Sequence, residues 1–185
     1  MPRLPYVTRE ELPKDLRHMY EDIAQGRGHV PHPFKLLLHS PGACAHVSAL
    51  GQYVRFKSSL SAPVRELAIL VVSRHINCDY EYSYHEPVAR KVGVSEAAIN
   101  AAKFRKSTTG LPAHEAAVIR FSRSLVRRYR ASDATYRAIQ KLLGTQGAVD
   151  LAVGVGYYWL LGVAMDTLGV TLEPEMKSLL PKQQK

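Results

Sequence analysis

Residues 61–91 read SAPVRELAILVVSRHINCDYEYSYHEPVARK, and the fold class follows from how this stretch divides into helices. Ser61 stands where a cap is wanted for a helix over APVRELAILVVSRHIN, and a second helix is expected from about Cys78 to Lys91, ending at Gly93. At about 100° per residue, with Cys78 at zero, Glu81 falls at about 300° and His85 at about 340°. Val88, Ala89 and Val92 share that sector, so thiol, carboxylate and imidazole lie on the face that otherwise looks inward. The same arithmetic aligns Glu66 with Ile69, Leu70 and Ser73 on the preceding helix.

The helical period extends along most of the chain. A helix is expected over TREELPKDLRHMYEDIAQG with Thr8 as its N-cap, and one short helix inside the Pro- and His-rich HVPHPFKLLLHSPG. PGACAHVSALGQYVRFKSSL begins with Pro41 at a first helical position, and Ser95 opens SEAAINAAKFRK. LPAHEAAVIRFSRSLVRRY, SDATYRAIQKLLG and TQGAVDLAVGVGYYWLLGVAMDTLG complete the set. No hairpin dipeptide separates alternating segments and no repeat recurs at a fixed period. An all-α, single-domain helical bundle over residues 1–185 is expected, with a polar tail from Pro181 that frays.

Residues 151–165 are almost all apolar, with Gly154, Gly156 and Gly162 among them. Such a helix is central to a core or shared with a neighbouring subunit, which points to a homo-oligomer. The apolar run stops short of the roughly 18 residues of a membrane span. With Cys44 and Cys78 as its only cysteines the chain is no disulfide scaffold, and it suits the cytoplasm. The formal net charge of +9 comes without any nucleic-acid recognition motif, and the densest cluster (Arg123, Arg127, Arg128, Arg130) lies at a helix end. An anionic metabolite is the partner this charge favours, rather than nucleic acid or membrane.

Two carboxylates and a histidine pointing inward from adjacent helices form either a self-satisfied polar network or a site. Three chemistries use this set. His85 can act as a general acid or base oriented by a glutamate. Cys78 can act as a thiol, activated in a first helical turn if Asn77 caps the helix. Zinc on Cys78, Glu81, His85 and His75 is the third, but one cysteine with a carboxylate is an unusual set and no second ligand pair accompanies it; no metal is assigned. His32 and His39 flank PFKLLL near a possible pocket mouth, and Cys44 and His46 lie on different faces of one helix.

Glu66, eleven residues, Cys78, two residues, Glu81, three residues, His85 resembles the signature of the carboxymuconolactone decarboxylase and alkylhydroperoxidase-D-like superfamily. The motif YEYSYH is similar to the branch that lacks a Cys-x-x-Cys pair, and the likeness covers about residues 15–175. It implies an all-α fold, a trimer or hexamer, and a site of Glu66, Cys78, Glu81 and His85. Where the peroxidase branch carries its second cysteine this chain has Glu81, which disfavours a dithiol cycle. The resemblance therefore implies cofactor-free acid/base chemistry, a decarboxylation or related lyase or isomerase step, on a small anionic organic substrate. Tyr80, Tyr82, Arg65 and Arg74, with Arg90, are the candidate substrate-binding residues. A thiol peroxidase working through Cys78 and a non-catalytic metabolite-binding protein are the alternatives.

Overall fold

Every residue from Glu66 to Ser73 is buried in the computed structural model, which describes residues 1–25 and 27–181. These residues belong to α4 (Ala62–Ile76), and a helix buried on all sides has to be the centre of the bundle. It is surrounded by α5 (Asp79–Lys91), α6 (Glu96–Lys103), α7 (Ala113–Arg128) and α8 (Asp133–Leu168). Three short helices precede it: α1 (His18–Ala24), α2 (His32–Leu37) and α3 (Pro41–Gln52). No strand occurs among the described residues, and the all-α expectation holds.

The turn between α4 and α5 sets the site. Asn77 ends α4 in the left-handed region (φ 55°), a conformation asparagine adopts at modest cost, and Cys78 then stands at the N-cap of α5. Asn77 is thus not the cap of α5, and Cys78 lies before its first turn rather than within it. At the other end, Gly93 takes φ 94° and releases the chain towards Ser95, whose Oγ accepts from the Ala98 N–H at 3.1 Å. Ser61 sits at the N-cap position of α4 without a side-chain cap bond.

Pro41 opens α3 as expected, but α3 continues into a π-helical turn over Tyr53–Lys57. The expected helix over residues 8–26 is the main departure. Pro13 has no N–H to donate and disfavours helical backbone at Leu12, so only a 3-10 turn (Lys14–Leu16) and α1 form. Thr8 caps no helix; its N–H instead donates to Glu11 Oε2 at 2.6 Å. Most of the expected frayed tail, residues 182–185, lies outside the described residues.

The two last expected helices run on as α8 across a kink at Gly144 (φ 72°, ψ 178°). By length and composition α8 would reach across a membrane, contrary to the short-run expectation; half of that stretch is buried inside the fold against α4 and α7. Gly162 lets α8 pack closely on Ile76: a Cβ there would come 2.2 Å from Ile76 Cδ1, so that side chain would have to turn aside. Gly156 faces open space instead. Apart from the main core, Val7, Leu12, Met19, Ile23, Val30, Phe34, Leu38 and Cys44 form a second apolar cluster under the N-terminal segment.

Candidate active site

The central position of α4 places Glu66 where no water reaches it, at 2% exposure. An ionised carboxylate there needs a partner, and His85 on α5 supplies it: Nδ1 lies 2.6 Å from Glu66 Oε2. One turn back on α5, Glu81 Oε2 lies 3.1 Å from His85 Nε2. Both ring nitrogens therefore face carboxylates. A neutral imidazole would turn a lone pair towards one of them, so the doubly protonated ring suits this geometry. Arg65 Nε reaches the other Glu66 oxygen at 3.3 Å.

Burial pushes the His85 imidazole down, but the charge and hydrogen bond of Glu66 and those of Glu81 outweigh it and leave the pKa raised. Burial likewise pushes Glu66 up, and the His85 charge and hydrogen bond, with Arg65 and Arg55, bring it below the usual carboxylate range. Both directions favour an imidazolium–carboxylate pair. Tyr84 and Tyr158 present their rings edge-on to the imidazole, at 5.0 and 5.3 Å between centroids.

Glu81 and His85 form one wall of a cavity of about 30 Å³, enough for a water or two. Tyr80, Tyr84, Tyr157 and Tyr158 line it from α5 and α8, Arg55 from the π-helical turn, and Arg27 and Phe34 from the N-terminal segment. Tyr80 donates to Glu173 at 2.7 Å, which also accepts from the His32 N–H at 2.8 Å and lies 2.9 Å from His32 Nε2. His32 and His39 thus fasten the terminal segments, His39 through the Pro5 carbonyl at 2.8 Å.

Of the residues expected at the site, Glu66, Glu81, His85 and Tyr80 come together and Arg65 joins them through Glu66. Tyr82 does not: its side chain is fully buried on another face of α5, under Lys103. Arg74 is spent at the far end of α4, donating from Nε to the Lys103 carbonyl at 2.7 Å and from its guanidinium to Asn77. Arg90 pairs with Glu86 at 2.8 Å and with Glu96 on the surface. Cys78 adjoins the site but does not line the cavity; burial, then the Glu81 charge, pushes its thiol up to about 12.

Residues 41–121, which hold the whole Glu66–Cys78–Glu81–His85 set, match the carboxymuconolactone decarboxylase family. That segment is under half of the chain, and its match agrees with the resemblance of the motif to the carboxymuconolactone decarboxylase and alkylhydroperoxidase-D-like superfamily. No protein of curated function matches it by sequence. Among solved structures it is similar to an uncharacterised peroxidase-related protein with an alkylhydroperoxidase AhpD core from Ralstonia eutropha JMP134 (20% identity, 94% of this chain and 93% of that one, TM-score 0.78). A peroxidase-related protein from Silicibacter sp. TM1040 is similar too (19%, 94% and 91%, TM-score 0.74). So is the debrominase Bmp8, as a cysteine-to-alanine variant in complex with 2,3,4-tribromopyrrole (14%, 94% and 95%, TM-score 0.73).

Within this superfamily fold, the residues that sequence reasoning missed come from outside the motif. Arg55, Arg27, Tyr157 and Tyr158 reach the cavity from three other segments. Only a weak signal marked them: Tyr157 and Tyr158 read as packing residues, and nothing in RFK or GRG distinguishes Arg55 or Arg27 from the other cations. Gly51 makes room for this wall, since a Cβ there would come 2.3 Å from the Tyr157 hydroxyl.

Proposed function

We propose that this protein is a cofactor-free enzyme that moves a proton to or from carbon in a small organic anion, in a decarboxylation or a related lyase or isomerase step. The observation that carries this reading is the buried imidazole held between two buried carboxylates at the wall of a cavity. With both ring nitrogens engaged, His85 acts through Glu81, which lines the cavity beside it. In the donating direction the carbon–carboxylate bond of the substrate breaks and its electron pair is left on carbon. Carbon dioxide leaves, and the Glu81 carboxylate relays a proton to that carbon, accepting it from His85 Nε2. His85 is left as a neutral imidazole whose Nδ1–H still donates to Glu66, and solvent restores the proton. Arg27, Arg55 and the imidazolium outnumber Glu81 and Glu66 around the cavity, so the site attracts negative charge.

A thiol route through Cys78 lacks comparable support, because the thiol is buried, lies off the cavity lining and is held protonated. The test is a panel of small carboxylic acids in deuterium oxide, followed by NMR for loss of carbon dioxide or for deuterium at carbon. Wild type is expected to turn over at least one compound. Glu81→Gln and His85→Gln should lose about a hundredfold or more, and Cys78→Ala should keep the activity. Turnover that survives both α5 substitutions, or disappears in Cys78→Ala, sinks the reading.

We also propose that the protein works as a homo-oligomer built on α8. Val149, Val153, Leu160 and Val163 are exposed there with Trp159 beside them, and with Gly156 they recur at alternating steps of four and three. That is the spacing of a helix seam awaiting another helix.

A further inference from the structure

Arg27 and Arg55 enter the proton-transfer reading only through their net charge, which leaves their geometry unexplained. They arrive from segments far apart in sequence, Arg27 just after α1 and Arg55 from the π-helical turn that interrupts the end of α3. A chain of aromatic rings links them. The Arg27 guanidinium lies 5.0 Å from the Phe34 ring centre and 5.8 Å from that of Phe56; the Arg55 guanidinium lies 5.3 Å from Phe56 and 5.3 Å from Tyr84. Phe56 is shared, so two positive groups stand on one ring, and their mutual repulsion is part of what this arrangement costs.

Protein carboxylates do not offset that cost directly. Among the described residues no acidic side chain bonds either guanidinium; Glu66, the nearest carboxylate in effect on Arg55, is taken by His85 and Arg65. Arg27 donates from one terminal nitrogen to the Ile23 carbonyl at 3.0 Å, yet its Nε is buried with no partner among the described residues. Arg55 has one long hydrogen bond, 3.5 Å to the Tyr84 hydroxyl. A buried N–H without an acceptor is destabilising, so its retention in a residue of the cavity wall calls for an acceptor supplied from outside.

Position excludes a purely structural account of Arg55. The turn that carries it is pinned at both ends by Asp150 of α8, through the Tyr53 hydroxyl at 2.7 Å and through the Ser59 N–H and hydroxyl at 2.8 and 2.7 Å. Single π-helical turns inside helices re-aim side chains and recur at functional sites. Here the turn buries Val54 and brings Arg55 into the cavity wall beside Tyr84 and His85.

We infer that Arg27 and Arg55 together form a clamp for a planar carboxylate, which selects a carboxylic acid over its neutral analogues and presents its remainder to Glu81 and His85. Guanidinium forks match carboxylate geometry in two-point contact, and stacking on Phe34, Phe56 and Tyr84 fixes their planes beforehand. The aromatic surfaces of Phe34, Tyr84 and Tyr158 suit a flat, conjugated acid. A cavity of about 30 Å³ is too small for one as it stands. Binding such an acid therefore requires Arg27 and Phe34, which form the wall on the side of the N-terminal segment, to shift outward. The inference rests on the cavity being the substrate site proposed above, but it is tested by binding alone, so its failure is distinct from a failure of the proton-transfer reading.

The probes are two matched pairs, benzoate with benzamide and acetate with acetamide, titrated by calorimetry. A carboxylate is expected to bind at least about tenfold tighter than its amide, and that margin should vanish in Arg55→Gln and in Arg27→Met. Arg120→Gln, on the exposed face of α7, should keep it. Nitrogen-15 NMR of the arginine side chains checks the wild type directly: the Arg27 and Arg55 Nε–H signals should move with benzoate and stay with benzamide. This readout stands even if a variant fails to fold. Equal affinity within both pairs, no binding of either acid at about 50 mM, or unmoved signals of both arginines would overturn the clamp.

Discussion

At the scale of single residues the chain's chemistry depends on a charge pair that burial opposes. Glu66 and His85 are both almost free of solvent, and removing one leaves the other with only its second partner, Arg65 or Glu81, at a cost of about 3–5 kcal/mol. The pH dependence follows from the two directions. His85 has a raised pKa, so its share of stability is complete below its ordinary 6.5 and is lost as pH rises through the higher folded value. Glu66 has a lowered pKa, so its share is complete above 4.5 and is lost as pH falls through the lower folded value. The stability lost in Glu66→Gln, read by urea unfolding, should thus peak at about pH 5–6 and shrink towards strong acid and towards alkali. A loss that grows steadily with pH would contradict the pairing. Cys78, by contrast, drops from the front of the motif because it caps α5 from a dry position beside a carboxylate.

Among the elements, α4 and α5 were legible from their own residues, since periodicity alone aligned Glu66 with the apolar stripe and Glu81 with His85. What periodicity could not place was the π-helical turn at Tyr53–Lys57. Its geometry depends on Asp150, almost a hundred residues later, whose carboxylate is pushed up by burial but brought down overall by its bonds from Ser59 and Tyr53. Replacing Asp150 by alanine removes all three bonds and is expected to cost about 2–3 kcal/mol in urea unfolding. Amide exchange should quicken over residues 53–59, which would free Arg55 as well. Unchanged exchange there would mean that the turn holds itself. The misread N-terminal helix has a simpler cause: Pro13 outranks the helix formers on either side of it.

For the whole molecule, the proposed oligomer rests on the exposed apolar seam of α8. Light scattering behind size exclusion should give a multiple of 20.6 kDa, and Val153→Glu with Leu160→Glu should lower that multiple without unfolding the chain, because both side chains are exposed. A wild type that runs as a monomer would end the oligomer proposal. The same helix lends Tyr157 and Tyr158 to the cavity and Asp150 to the turn below Arg55, so dissociation should also weaken carboxylate binding.

The helical class, the pairing of α4 with α5 and the inward set of Glu66, Glu81 and His85 are written in the order of the residues. All of these follow from local periodicity and from the cost of burying charge. Tertiary structure alone decided which cations meet that set. Arg65 and Arg74 lie on the motif helix itself, and nothing local distinguishes them from Arg27 and Arg55. Only the packing of α1, the π-helical turn and α8 around one cavity brings the latter two to His85 and sends Arg74 to a helix end. A helical period reports the face a residue occupies; which distant segment lies against that face is set by how the helices pack.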